Sequence, residues 1–103
     1  MKYVNESEVP FKYGDHGPKY LFNEDKFSGG AAYITPGKSI KEHTHTDESE
    51  VFYFVKGTPE FKVDGKSHRV KPGDSFLVVP GESHELINDT KETIQLVFLK
   101  IKG

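Results

Sequence analysis

Polar and apolar positions alternate along this chain in short runs, and no stretch of ten residues carries an apolar stripe at helical spacing. The cleanest alternation is Glu60-Phe61-Lys62-Val63. Asp64-Gly65 follows, a pair that accepts the positive φ angles of a tight hairpin turn, and Lys66 to Val70 reads as the return strand. Val51 to Val55 is dense in aromatic and β-branched residues, which suit a strand. Ser75 to Val79 and His84 to Ile87 are further short strands, separated by Pro80-Gly81. Ile94 to Ile101 is apolar on both faces apart from Gln95 and Lys100, so it is predicted to be covered on both. Earlier in the chain, Lys19 to Phe22 and Gly29 to Thr35 read as strands, the second stopped by Pro36-Gly37. Val4, Val9, Phe11 and Tyr13 alternate loosely and predict an edge strand or extended arm. Turn signals recur from end to end, with no linker and no internal repeat. The pattern predicts one all-β domain, a sandwich or barrel.

Composition narrows this picture. A chain of 103 residues supports one modest core and not two. Only 34% of residues are apolar, so the eight Phe and five Tyr must supply much of the buried area. The net charge of −2, with no basic patch, argues against nucleic acid and anionic membranes as partners. The absence of cysteine excludes disulfides and thiolate-ligated metals. The first residues hold no apolar core of signal-peptide length and no run approaches a membrane span, so the expected location is the cytoplasm.

The chemistry concentrates between Gly37 and Gly57. His43 and His45 stand two apart, and alternate residues of a strand face the same side. Both imidazoles can therefore sit over one point. The polar Thr46-Asp47-Glu48-Ser49 reads as a turn, and the returning strand can carry Glu50 back to that point. Two imidazoles and a carboxylate are half of a divalent transition-metal site, and the stretch from Gly73 to Asn88 contributes a further candidate, His84. His16 lies in the turn cluster Gly14-Asp15-His16-Gly17-Pro18 and reads as a solvated loop histidine. His68, on a hairpin arm, reads as a surface residue.

These two stretches resemble the paired motifs of the cupin superfamily. Gly37, His43, His45, Glu50 and Gly57 fit G-x5-H-x-H-x4-E-x6-G at every fixed position. Gly73, Gly81, His84 and Asn88 fit G-x5-P-x-G-x2-H-x3-N, with Val79 in place of the proline and Pro80 beside it. The resemblance covers roughly residues 29–100. It implies a double-stranded β-helix, or jelly-roll barrel, with residues 1–28 as an arm or edge strands completing the barrel of residues 29–103. It also implies a metal held by His43, His45, Glu50 and His84. Three imidazoles and one carboxylate suit Fe, Mn, Ni, Co, Cu or Zn, and an octahedral ion would keep two positions for water, dioxygen or substrate. The string His43-Thr44-His45-Thr46-Asp47-Glu48-Ser49-Glu50-Val51 is similar to that of germins, which use manganese on oxalate. Germins are secreted and carry a cysteine pair, and this chain has neither feature.

The expected function is that of a metal-dependent enzyme acting on a small oxygen-ligating substrate, as a dioxygenase or in oxidation or decarboxylation of a small carboxylate. The alternative is a binding or sensing barrel without turnover. Phe52 and Phe54 share parity with Glu50 and are expected inside, as core and as wall of a substrate pocket. Tyr33 is the candidate acid/base or orienting residue, while Lys41 and Glu82 are expected in solvent near the mouth. No second carboxylate or histidine is expected inside. Asn88 reads as a turn residue. Val51, Tyr53 and Val55 face outward and, with the last strand, are apolar enough to predict a homodimer.

Overall fold

The computed structural model describes residues 1–103. Its strands are β1 (Gly17–Asn23), β2 (Phe27–Ile34), β3 (Ser39–Thr44), β4 (Glu48–Lys56), β5 (Glu60–Val63), β6 (Lys66–Arg69), β7 (Ser75–Val78), β8 (Ser83–Ile87) and β9 (Ile94–Lys102). They form a five-stranded sheet in the order β1-β2-β9-β4-β7 and a four-stranded sheet in the order β3-β8-β5-β6. Every pairing is antiparallel. The chain is an all-β jelly-roll barrel: all-β as the alternation predicts, and of the form that the motif resemblance implies. The one helical piece is a 3-10 turn at Glu6–Glu8, capped by the Asn5 side chain. No helix is long and apolar enough to cross a membrane.

Local sequence explains the connections. Asp64 and Gly65 take φ of 50° and 77°, which closes the β5–β6 hairpin as the dipeptide predicts. Gly57 takes a φ of 95°, and a Cβ there would run into the side chain of Ile94, which is fully buried. Glycine is needed at that corner both for its backbone angle and for space.

Register across the larger sheet orders the interior by depth. Directly opposed residues point the same way, so Ser28, Lys100, Glu50 and Val78 form one inward row. Phe98, Phe52 and Phe76 form the next, and Leu96 and Phe54 the one beyond. In the facing sheet His43, His84 and Val63 align, followed by Leu86 and Phe61. The barrel is therefore polar at one end and apolar at the other. Phe54, Phe61 and Phe76 meet edge-on at 5.0 to 5.9 Å between centroids, a geometry that adds to their area burial. Phe54 and Phe61 have no exposure at all, and with Val70 they close the apolar end.

The last strand differs from expectation on one face. Ile94, Leu96 and Phe98 are buried, whereas Val97, Leu99 and Ile101 are exposed on the outside of the sheet. Tyr53, Val55 and Leu77 are exposed on the same outer surface. The single chain has no second layer to cover them.

Candidate metal centre

His43, His45, Glu50 and His84 come together at the polar end, with one ligand atom from each lying within 4.8 Å of all the others. They arrive from separate places. His43 is on β3 and His84 directly opposes it on β8. Glu50 lies on β4 in the other sheet, and His45 follows the end of β3. The Gly81 N–H donates to the His45 carbonyl at 2.9 Å, tying the turn before His84 to the first histidine pair. Gly81 holds a φ of 91°, so this turn also depends on glycine.

A local irregularity aims His43. Ile40 opposes Leu86 and His43 opposes His84, which leaves Lys41 and Glu42 across from Glu85 alone. This is a β-bulge, and it reverses the inward parity between Ile40 and His43. Without it, strict alternation from Ile40 would turn His43 outward. The bulge also orients the ring: the Lys41 carbonyl lies 2.8 Å from His43 Nδ1 and accepts its hydrogen. That leaves Nε2 with a free lone pair, the usual arrangement of a metal-ligating histidine. Burial holds the His43 imidazole below its usual pKa, against the Lys41 hydrogen bond, and so favours the neutral form that binds metal.

The donor atoms fit a cation. His45 Nε2 and His84 Nε2 lie 3.2 and 3.3 Å from Glu50 Oε1. Each of these three atoms is buried and none forms a hydrogen bond. A buried polar atom without a partner costs about 1–3 kcal/mol, and here three such atoms face one another. A divalent ion would satisfy them together, and three imidazoles with one carboxylate suit such an ion.

The centre opens into a cavity of about 620 Å³. Phe52 lines it and packs edge-on against His84 with centroids 5.6 Å apart. Phe54 does not line it; two residues deeper along β4, it belongs to the core. Tyr33 is not part of the cavity either. Ala32 and Ile34 are the inward residues of β2, so Tyr33 points outward, where its hydroxyl donates to Glu6 Oε1 at 2.6 Å. That hydrogen bond, with burial, pushes its pKa up to about 12, further from any acid/base role near neutrality. Lys41 lines the mouth, whereas Glu82 is occupied with the Val79 N–H at 2.9 Å. Asn88 is fully structural: its amide donates to the carbonyls of Ile34 and Glu92, both at 2.8 Å.

Two further polar groups line the cavity, and only the first was expected elsewhere. His16 is not a free loop residue; its side chain is only 14% exposed, lines the cavity and contacts Asp15 at 2.8 Å. A further histidine thus stands at the rim of the cavity. Lys100 points inward and donates to Tyr20 Oη at 2.6 Å. Burial opposes its charge, but Tyr20 and the carboxylates of Glu50 and Glu48 outweigh that and hold its pKa above the usual value.

A model of the cupin domain matches residues 32–100, two thirds of the sequence. The chain belongs to the cupin family. Among curated relatives, this cupin is 36% identical to an oxalate-binding protein of Thermotoga maritima over 55 residues, 53% of this chain and 46% of that one. It is 30% identical to a mannose-1-phosphate guanylyltransferase of Sinorhizobium fredii over 77 residues, 75% of this chain but 15% of the relative. The matched segments thus span less than half the length of either relative. Solved cupin-type structures share the fold throughout. The cupin domain of Schizosaccharomyces pombe Cnp3 superposes with a TM-score of 0.86 at 20% identity, covering 98% of this chain and 74% of that one. A predicted oxalate decarboxylase from Thermotoga maritima gives 0.83 at 22% identity, covering 99% and 100%.

Proposed function

We propose that this cupin is a metal-dependent enzyme acting on a small oxygen-ligating substrate, by dioxygen chemistry or by oxidation or decarboxylation of a small carboxylate. The observation that carries this reading is the set of buried, unpartnered donor atoms from His45, Glu50 and His84 on the wall of a cavity large enough for a small molecule. A divalent ion held by these residues and His43 supplies Lewis acidity and coordination of substrate oxygens. The chain's own groups do the rest. Phe52 limits the depth of the substrate, and the aromatic end keeps water from reaching the centre from below. His16, beside the mouth, is a candidate to carry a proton to or from a bound molecule.

The test is an oxygen-electrode and product screen of the Fe(II)- and Mn(II)-loaded protein against oxalate, other small acids, thiols and phenols. Turnover with at least one of these classes is the expected result. A second reading, binding without turnover, is favoured by the similarity to the oxalate-binding protein. Metal-loaded protein that binds a small acid by calorimetry but consumes no oxygen and forms no product would sink the enzyme reading and leave this one.

The same proposal includes a homodimer. Tyr53, Leu77, Val97 and Leu99 belong to neighbouring strands of the outer face, and Leu77 is 62% exposed. A second copy burying this face removes a continuous apolar surface from water. Light scattering at micromolar concentration is expected to give twice the chain mass. Tyr53→Lys, which places charges against each other at such an interface, is expected to give the monomer, and a monomeric wild type would refute the dimer.

A further inference from the structure

Lys100 is an unusual residue for its position. The other inward residues of β9 are Ile94, Leu96 and Phe98, all buried and apolar. Lys100 directly opposes Glu50 across β4 and β9, yet it forms no ion pair with that carboxylate, whose Oε1 is turned to His45 and His84. Its only hydrogen bond is the one to Tyr20, although an ammonium has three N–H groups to donate. Tyr20 is held in place by Phe98, edge-on at 5.1 Å. Because Tyr20 Oη accepts from Lys100, its own O–H remains free to donate.

The fold keeps this half-buried lysine charged, yet it leaves two of the three ammonium N–H groups without a partner on the cavity side. A ligand can supply the missing partners. Two further lysines, Lys12 and Lys41, line the same cavity. Against these three lysines stand two lining carboxylates, Glu42 at the same rim as Lys12 and Lys41, and Glu50, which belongs to the metal cluster. The balance favours an anion inside.

We propose that Lys100 and Tyr20 form a second anchoring point, which binds a carboxylate of the same small molecule that the metal centre holds through its oxygens. This rests on the metal reading above and narrows its substrate class to acids with an anionic group beyond the chelating one, such as hydroxy-dicarboxylates. The ammonium and the phenol donate together, and charge-assisted pairs of this kind are stronger than neutral ones.

The experiment titrates Mn(II)-loaded protein with malate and with lactate by calorimetry. Both acids present the same hydroxy-carboxylate head, and only malate has a second carboxylate. Wild type is expected to bind malate about ten- to a hundredfold more tightly, the range of one hydrogen bond to a charged group. Lys100→Met is expected to erase most of that preference while keeping lactate affinity and metal stoichiometry. Lys100→Arg is expected to keep it, and Tyr20→Phe, which retains the ring against Phe98, to lose part of it. Should Lys100→Met fail to fold, an unchanged preference in Tyr20→Phe overturns the proposal. It is overturned equally by a loaded wild type that binds the two acids alike or binds neither, or by a preference that survives Lys100→Met. Wild type that takes up no Mn(II) refutes the metal reading and the subsite with it. Metal held without preference refutes the subsite alone.

Discussion

Replacing His45 with alanine is expected to abolish stoichiometric metal binding and leave the barrel folded. His45 Nε2 is one of four buried side-chain atoms with no hydrogen bond of their own, the others being Glu50 Oε1 and both ring nitrogens of His84. Removing its ring takes away a ligand directly. The loss in affinity should exceed the roughly ten- to hundredfold seen when only a group that orients a ligand is removed. The fold has little to lose there, because His45 lies beyond the end of β3 and its main-chain bond from Gly81 survives the substitution. Elemental analysis of protein prepared without a nickel column reads the first effect. Thermal unfolding with and without chelator reads the second: chelation should lower the wild-type midpoint to that of the variant, since a tightly held ion stabilises by about 4 kcal/mol at a thousandfold excess over its dissociation constant. One metal per chain in the variant would refute the four-residue centre.

Phe54→Ala is expected to destabilise the protein by about 3–5 kcal/mol, the usual cost of emptying a buried aromatic site. Phe54 is wholly buried and packs edge-on against Phe61 and Phe76. Against a total stability of about 5–15 kcal/mol for a small domain, that loss is severe. Phe52→Ala should differ in kind, because Phe52 touches the cavity and His84 as well as the core. Denaturant midpoints and ligand titrations together separate the two residues. If Phe54→Ala kept its midpoint and changed ligand affinity instead, the deep aromatic end would have to be part of the binding space.

The four clustered residues were legible in the sequence because their spacing is tied to turns that glycine and proline announce. So was the β5–β6 hairpin, from Asp64-Gly65 alone. The misplacements share one physical origin, which is that parity and neighbours are set by long-range pairing. Tyr33 faces outward because β2 pairs with β9 in a register that puts Ala32 inside beside Leu96. The bulge at Lys41–Glu42 has no signature in those two residues; it exists because β8 offers one residue where β3 supplies two. His16 sits in a string that reads as a solvated turn, and its cover comes from contacts the string does not announce, among them the Tyr13 ring with centroids 5.5 Å apart. Lys100 looked like a polar interruption of an apolar strand. One signal was available: it lies an even number of positions from Ile94, Leu96 and Phe98, so a strand that buries those three must turn the lysine inward with them.

The closed aromatic end has a bearing on traffic. With Phe54, Phe61 and Val70 sealing one end of the barrel, whatever the cavity admits must leave by the door through which it came. Arrival and departure then cannot overlap. A departing molecule occupies the path of the next, so the two compete for one passage, and the rim of Lys12, His16 and Lys41 is met twice in every visit.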